Sequence, residues 1–153
     1  AIETFKVGQP FTIVIGDTGV TAPTKESVGD VRKLWEADKT KWESVFDKIG
    51  AIAKEAREAV ERGKPALSEV EVMKELGELM NKNHVLLQEL TVSSPELENL
   101  ISAAHNAGAL GAKISGGGRG GNMIALVKPE QAEEVAESLM EAGAKRTIIT
   151  KIS

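Results

Sequence analysis

A dense group of glycines, interrupted by one arginine, is the part of this sequence best suited to chemistry. Five of the six residues in Gly116–Gly121 are glycine, which is a third of the chain's 15 glycines. Glycine is unfavourable inside helices and strands and is used where the backbone takes positive φ or lies against a ligand. Successive N–H groups in such a loop form a cradle for anions. The Arg119 guanidinium adds a planar fork of donors that suits phosphate or carboxylate.

The spacing Gly116-x-Gly118-x-x-Gly121 matches the dinucleotide pattern G-x-G-x-x-G literally. That site also requires a helix directly after the glycines and an acid about 20 residues further on. Here the loop runs into an apolar segment, Asn122–Val127, which predicts a buried strand, and the G-K-[ST] ending of a P-loop is missing. A strand–glycine–strand unit is therefore predicted instead of a Rossmann site. The alternative is a flexible hairpin without a ligand, but a hairpin needs only one or two glycines.

Other residues that could do chemistry are few. Asn81 and His84 are three positions apart, so they share a helix face, either towards a substrate or as a polar pair satisfied within the fold. The second interpretation is favoured. The sequence has no cysteine and two histidines, so we predict no metal site.

Composition narrows the classes of partner. The net charge is −4 with Lys and Arg dispersed among acids, and aromatic residues make up 3%, which argues against a nucleic-acid surface. No apolar run is long enough to cross a bilayer, so we expect no membrane association and a cytoplasmic location.

The elements around the glycine loop begin with strands. Alternation in Glu3–Val7, a turn, and the β-branched segment Phe11–Ile15 predict an opening hairpin. A loop then leads to Thr24. Taken alone, this residue is interpreted as the N-cap of the first helix in preference to a ligand contact.

Four further helices and one strand follow from apolar spacing and capping residues. The helices run over Trp42–Arg62 ending at Gly63, from Ser68 to about Leu90, from Ser94 to near Gly108, and over Pro129–Ala142, and the strand covers Thr147–Ile152. Ser68 is the predicted N-cap of its helix, with Glu71 as its capping-box partner. This order predicts one α+β domain over residues 1–153, with an antiparallel sheet covered by helices on one side.

The segment Lys113–Ile124 resembles the third motif of the galactokinase, homoserine kinase, mevalonate kinase and phosphomevalonate kinase (GHMP) superfamily, whose usual form is K-[LI]-[ST]-G-A-G-G-G-G. Gly117 stands where alanine is usual, and Arg119 where glycine is commonest. Asp17–Arg32 and Asn81-x-x-His84-x-x-Leu87 are similar to segments of archaeal-type mevalonate kinases. The resemblance covers almost the whole chain.

This resemblance implies the C-terminal domain of a GHMP kinase, with a ferredoxin-like core and an antiparallel sheet covered by helices. It implies ATP-dependent phosphorylation of a small alcohol, with mevalonate favoured, in isoprenoid precursor synthesis. Thr24 and Thr18 become candidate substrate contacts, and Asn81 and His84 weaker ones. The residues implied to line the phosphate-transfer site are Ser115, Gly116, Gly117, Gly118, Arg119, Gly120 and Gly121.

The superfamily's phosphate loop, Mg²⁺-binding residues and catalytic side chains belong to an N-terminal half that this sequence does not contain. We therefore expect no catalytic residue here, ATP and Mg²⁺ bound mainly by that N-terminal half as a partner, and no activity from the chain alone. The complete enzyme could also form a homodimer. The alternatives are another GHMP kinase, acting on phosphomevalonate, homoserine or a sugar, or a non-catalytic regulatory domain that binds a small anion.

Overall fold

The chain folds as a four-stranded sheet with five α-helices, in a computed structural model that describes residues 2–62 and 69–153. The elements in chain order are β1 (Phe11–Asp17), α1 (Thr24–Ala37), α2 (Lys39–Glu61), α3 (Glu69–Glu89), α4 (Pro95–Asn106), β2 (Gly111–Ser115), β3 (Asn122–Val127), a 3₁₀ turn (Pro129–Gln131), α5 (Ala132–Glu141) and β4 (Arg146–Ile152). None of the helices in these ranges combines the length and apolarity needed to span a bilayer. The predicted α+β class is confirmed.

The sheet has the order β2–β3–β1–β4, and every neighbouring pair is antiparallel. With helices between β1 and β2 and between β3 and β4, this is the ferredoxin-like arrangement. The predicted opening hairpin is wrong, because Glu3–Val7 forms no strand. Both edges of β1 are already occupied, since Val14 pairs with Ala125 on one side and Ile149 on the other. An additional strand would have no free edge of β1 to join.

Helices pack on both faces of the sheet, whereas the sequence predicted one side only. On the first face, α4 and α5 pack on Val14, Ala125 and their neighbours. On the second face, α3 contributes Leu76 and Met80 to a smaller cluster around Leu126. The reason is that β3 is apolar at nearly every position and therefore requires burial on both faces.

Two helix starts differ in how well the sequence predicted them. Ser94 caps α4 as predicted, with its hydroxyl accepting a hydrogen bond from the Leu97 N–H at 3.3 Å. The predicted cap at Thr24 is wrong, because Pro23 holds the N-cap position and Thr24 is the first helical residue. The predicted helix end at Gly63 and the capping box from Ser68 lie outside the described residues.

Helix α3 lies along the edge strand β2 at very short range. An added Cβ on Gly77 would come within 2.4 Å of the Leu110 carbonyl oxygen, so only glycine permits this approach. The approach lets the Asn81 side chain pair with the edge of β2, where its Oδ1 accepts a hydrogen bond from the Ala112 N–H at 3.0 Å. Because α3 covers this edge, β2 and the glycine loop that follows it are held in place.

Candidate functional site

The glycine loop connects β2 to β3 and forms one wall of an open cavity of about 500 Å³. The connection between β1 and α1 forms the opposite wall. Of the predicted site residues, seven line this cavity: Thr24, Ser115, Gly116, Gly117, Gly118, Gly120 and Gly121. The structure therefore brings together two stretches of sequence that lie about ninety residues apart in the chain.

Thr18 holds the two walls together and does not itself line the cavity. Its N–H and its hydroxyl both donate to the Gly121 carbonyl oxygen at 2.9 Å. In return, the Gly121 N–H donates to the Val20 carbonyl oxygen at 2.9 Å. Because these bonds already use the Thr18 hydroxyl as a donor, its role in this geometry is to fix the cavity wall.

Thr24 stands at the mouth of the cavity as the first residue of α1. An added Cβ on Gly117 would lie 3.1 Å from the Thr24 hydroxyl oxygen, so the side chain rests against the loop. No hydrogen bond among the described residues engages that hydroxyl. Thr24 therefore presents a donor and acceptor directly beside the loop.

Close backbone contacts explain two of the glycines without any ligand. A Cβ on Gly118 would lie 2.1 Å from the Val92 carbonyl oxygen, and Gly118 also has a φ of +80°. A Cβ on Gly120 would lie 2.5 Å from the Val20 carbonyl oxygen. The high glycine content thus reflects tight packing of the loop against two neighbouring segments as well as any ligand.

Four N–H groups of the loop have no protein partner within the described part of the chain. They belong to Gly116, Gly117, Gly118 and Gly120, all of which line the cavity. Backbone donors without an internal partner are the groups that bind phosphate oxygens in anion nests. The cavity can therefore accept an anion through its backbone.

Arg119 is the one residue of the loop Gly116–Gly121 that does not line the cavity. Its guanidinium donates to the Asp30 carboxylate on α1, to the Thr91 carbonyl oxygen at 2.9 Å and to the Thr91 hydroxyl at 3.2 Å. Its backbone N–H donates to the Val92 carbonyl oxygen at 2.6 Å. We call this group the Arg119 clasp. These contacts use three of the five N–H donors of the guanidinium and link the loop to α1 and to the α3–α4 connection.

The backbone at the Arg119 clasp is unusual on both sides. Arg119 has φ of 60° and Thr91 has φ of 63°, a region that non-glycine residues, and β-branched ones above all, rarely adopt. Strained backbone of this kind persists only where surrounding contacts hold it, and it is concentrated at functional sites.

Asn81 and His84 are not among the residues that line the cavity. Asn81 bonds to β2, and the buried His84 places its Nε2 2.8 Å from the Glu98 carboxylate on α4. Burial raises the pKa of Glu98, but hydrogen bonds from Ser93, Gln88 and His84 outweigh it and leave that pKa below its ordinary value. Both residues therefore fasten α3 to its neighbours.

Charged groups at the cavity are few. Asp17 is the carboxylate among the described lining residues, and its Oδ2 accepts a hydrogen bond from Arg146 Nε at 3.2 Å. Nowhere in residues 2–62 or 69–153 do three or more His, Asp or Glu side chains gather in a way that could hold a metal ion.

Several residues that shape the site have no local signal in the sequence. Asp30 and Thr91 were not predicted, because they meet Arg119 across separations of 89 and 28 residues. Val20, Thr21 and Ala22 also line the cavity, and the Val20 carbonyl oxygen accepts a hydrogen bond from the Gly121 N–H. A backbone contact of this kind is not visible in a residue pattern.

Comparison with known proteins gives a consistent result. Residues 56–145 match the family model described as GHMP kinases C terminal. The chain is 43% identical over 144 residues to the mevalonate kinase of Thermococcus sibiricus, covering 92% of this chain and 41% of that protein. It is also 43% identical over 141 residues to the mevalonate kinase of Pyrococcus horikoshii, with the same coverage of 92% and 41%. The chain thus spans about two fifths of the length of these relatives.

Among solved structures, the L. major mevalonate kinase in complex with R-mevalonate superposes with a TM-score of 0.86 at 30% identity. The superposition covers 99% of this chain and 45% of that one. Sequence and structure therefore both match one part of larger proteins, and the match includes the cavity and its loop.

Proposed function

The chain belongs to the GHMP kinases, and from this premise we propose that it is the substrate-side domain of an ATP-dependent kinase with mevalonate as acceptor. The relatives that share 43% identity with it are mevalonate kinases, which supports this acceptor over phosphomevalonate, homoserine or a sugar. ATP, Mg²⁺ and the catalytic side chains belong, in this proposal, to an N-terminal kinase half.

One observation carries the proposal: free backbone donors and a free hydroxyl meet in one cavity. The N–H groups of Gly116, Gly117, Gly118 and Gly120 are without internal partners, and Thr24 stands beside them. Phosphoryl transfer depends mainly on positioning and on stabilising the charge spread over phosphate oxygens. Fixed backbone dipoles suit this, because they need no reorganisation when charge develops.

Each part of the cavity then has a distinct task. The loop N–H groups hold the transferred phosphoryl group, and the Thr24 hydroxyl orients the acceptor alcohol. Thr18 and the Arg119 clasp keep these donors in place without touching either ligand. Proton removal from the acceptor and coordination of Mg²⁺ fall to groups outside this chain, since no described lining residue except Asp17 carries an acid.

A chimeric enzyme tests the proposal. The matched C-terminal part of the Pyrococcus horikoshii mevalonate kinase would be replaced by this chain, and ADP release measured with mevalonate, phosphomevalonate, homoserine and galactose. We expect activity with mevalonate and little with the other three. Within the chimera, Thr24→Val should raise KM for mevalonate more than KM for ATP, because it removes a hydroxyl and keeps the side-chain shape.

Two controls make a negative result informative. The unmodified Pyrococcus enzyme gives the reference rate, and a thermal melt shows whether the chimera is folded. If a folded chimera binds ATP but phosphorylates another acceptor, that acceptor replaces mevalonate as the proposed substrate. A folded chimera that phosphorylates none, while this chain alone binds inorganic pyrophosphate at the loop amides, would favour the non-catalytic anion-binding alternative.

A further inference from the structure

A second cavity, with different lining residues from the one at the glycine loop, contains a lysine that the proposed kinase function does not use. Lys113 lies on β2 and lines a cavity of about 200 Å³ beneath α2 and α3. Five of its other walls are apolar side chains, and Asn83 completes it: the lining comprises Ile52, Ala53, Ala56, Leu79, Met80 and Asn83. No described residue lines both this cavity and the one at the loop.

The Lys113 ammonium group has little to satisfy it there. Its Nζ donates to the Ile114 carbonyl oxygen at 2.6 Å, which uses one of three N–H donors. Burial lowers the pKa of Lys113, and no nearby carboxylate among the described residues offsets that effect. The Lys113 side chain is partly buried, and its two remaining N–H groups have no protein partner among the described residues. The missing partner leaves room for an external anion.

Covering the edge carbonyl of Ile114 is the simplest structural role for Lys113. That role accounts for one hydrogen bond but not for the cavity around the lysine stem or for the two remaining N–H groups. An exposed lysine could satisfy an edge carbonyl equally well from the solvent side. The cavity therefore points to a ligand in addition to this structural bond.

An apolar groove of about 430 Å³ lies on the surface between α2 and α3 and shares Ile52 with this cavity. Its other apolar lining residues are Ala51, Val85 and Leu86. Lys48 and Lys82 stand at its sides, and none of the described lining residues of either space is acidic. The chain has a net charge of −4, so an apolar groove with two lysines at its sides differs in charge from the chain as a whole.

From this arrangement we infer that the Lys113 cavity and its groove bind a small amphipathic anion, an aliphatic carboxylate whose chain lies between α2 and α3. The carboxylate accepts hydrogen bonds from the free N–H groups of Lys113, a charge-assisted contact in a partly dry site. The alkyl chain covers Ile52, Leu79 and Val85, which removes apolar surface from water. This site is independent of the proposed kinase function.

Calorimetric titration with hexanoate tests the inference. We expect one saturable site per chain, with affinity about tenfold lower for acetate, which lacks the chain, and for hexan-1-ol, which lacks the charge. Lys113→Met keeps the length and apolar stem but removes the charge, and should also weaken hexanoate binding about tenfold. Lys74→Met, which removes an exposed lysine of α3 outside both lining sets, is the control and should leave binding unchanged.

A spectroscopic readout covers the case in which the Lys113→Met protein folds poorly. With ¹³C-labelled lysine, hexanoate should shift the side-chain resonance of Lys113 in the wild-type chain at the concentration that saturates the calorimetric signal. The inference is overturned if hexan-1-ol binds as tightly as hexanoate, or if the Lys113→Met protein binds hexanoate with the wild-type affinity. It is also overturned if sedimentation shows a second copy of the chain covering the groove, or if hexanoate shifts no lysine resonance.

Discussion

Gly118 and Arg119 are adjacent residues that fix the loop in different ways. Gly118 allows the loop backbone to lie against the Val92 carbonyl, and Arg119 fastens the same connection through its side chain. Both contacts act on the residues whose N–H groups line the cavity. The geometry of the loop is therefore set by packing against the α3–α4 connection before any ligand arrives.

Gly118→Ala should lower the free energy of unfolding by about 1–3 kcal/mol. The added Cβ would lie 2.1 Å from the Val92 carbonyl oxygen, at a φ of +80° that alanine adopts poorly. Gly50→Ala in α2 is the matched control. Nothing lies within 4 Å of the new Cβ there, so it should stabilise the chain by about 0.5–1 kcal/mol. Urea unfolding of both variants measures the difference, and an unchanged midpoint for Gly118→Ala would contradict the packing.

The Arg119 clasp should make stability depend on acidity in a defined direction. The hydrogen bond from Arg119 lowers the pKa of Asp30 from its ordinary value of 3.8. A carboxyl whose pKa is lower in the folded state stabilises the fold above its unfolded pKa, and this contribution is lost as pH falls through the folded value. Asp30→Asn should therefore destabilise the chain at neutral pH, and the difference from wild type should shrink below pH 3.8.

Urea unfolding at neutral and acidic pH measures this difference. Asp47→Asn, at an exposed position of α2, is the control and should match wild type throughout. If Asp30→Asn were as stable as wild type at neutral pH, the clasp would contribute nothing to folding. Arg119 would then be free to serve the anion, as the sequence first suggested.

At the scale of elements, α3 is the helix that organises the site. Its Gly77 permits direct contact with β2, its Asn81 covers the strand edge, and its His84 bonds to α4. The connection that follows α3 holds the glycine loop through Thr91 and Val92. A helix remote from the cavity thus determines where the loop lies.

Asn81→Ala should cost about 1–3 kcal/mol in the free energy of unfolding, because it leaves the buried Ala112 N–H without its partner. Hydrogen exchange at the Ala112 amide should accelerate in the same variant. Glu78→Ala, an exposed position on the same helix, should stay within about 0.5 kcal/mol of wild type. Slow exchange at Ala112 in the Asn81→Ala protein would mean that the edge of β2 is protected by other contacts.

At the scale of the whole molecule, β3 joins two hydrophobic clusters. Met123, Ala125 and Val127 face the larger cluster with α4 and α5, whereas Leu126 faces the smaller one with α3. Because the two clusters share one strand, neither can be lost without exposing the other side of the sheet. We therefore propose that the described residues form a single folding unit.

This proposal predicts one cooperative unfolding transition. The fluorescence of Trp42, which is buried in the larger cluster, and far-UV circular dichroism should change together in urea. Calorimetric and van't Hoff enthalpies of unfolding should also agree. If Trp42 fluorescence and the circular dichroism signal changed at different urea concentrations, the chain would unfold as two units.

What the sequence determined by itself was local. The apolar periodicities predicted all five helices and three of the four strands close to their observed bounds, and the glycine loop was correctly predicted between two strands. These patterns are readable because the alternation of a strand and the turn of a helix involve residues a few positions apart. The predicted hairpin failed for the same reason, since alternation shows that a segment could form a strand but not whether an edge is free.

The tertiary structure alone decided which residues form the candidate site. Arg119 carries the chemistry of an anion ligand, yet its partner Asp30, 89 residues away, directs it into the clasp. Thr24 has the sequence features of a cap, yet its position against Gly117 makes it a wall of the cavity. The physical reason is that a side chain's role depends on which groups the fold brings within hydrogen-bonding distance, and residues far apart in the chain leave no shared local pattern.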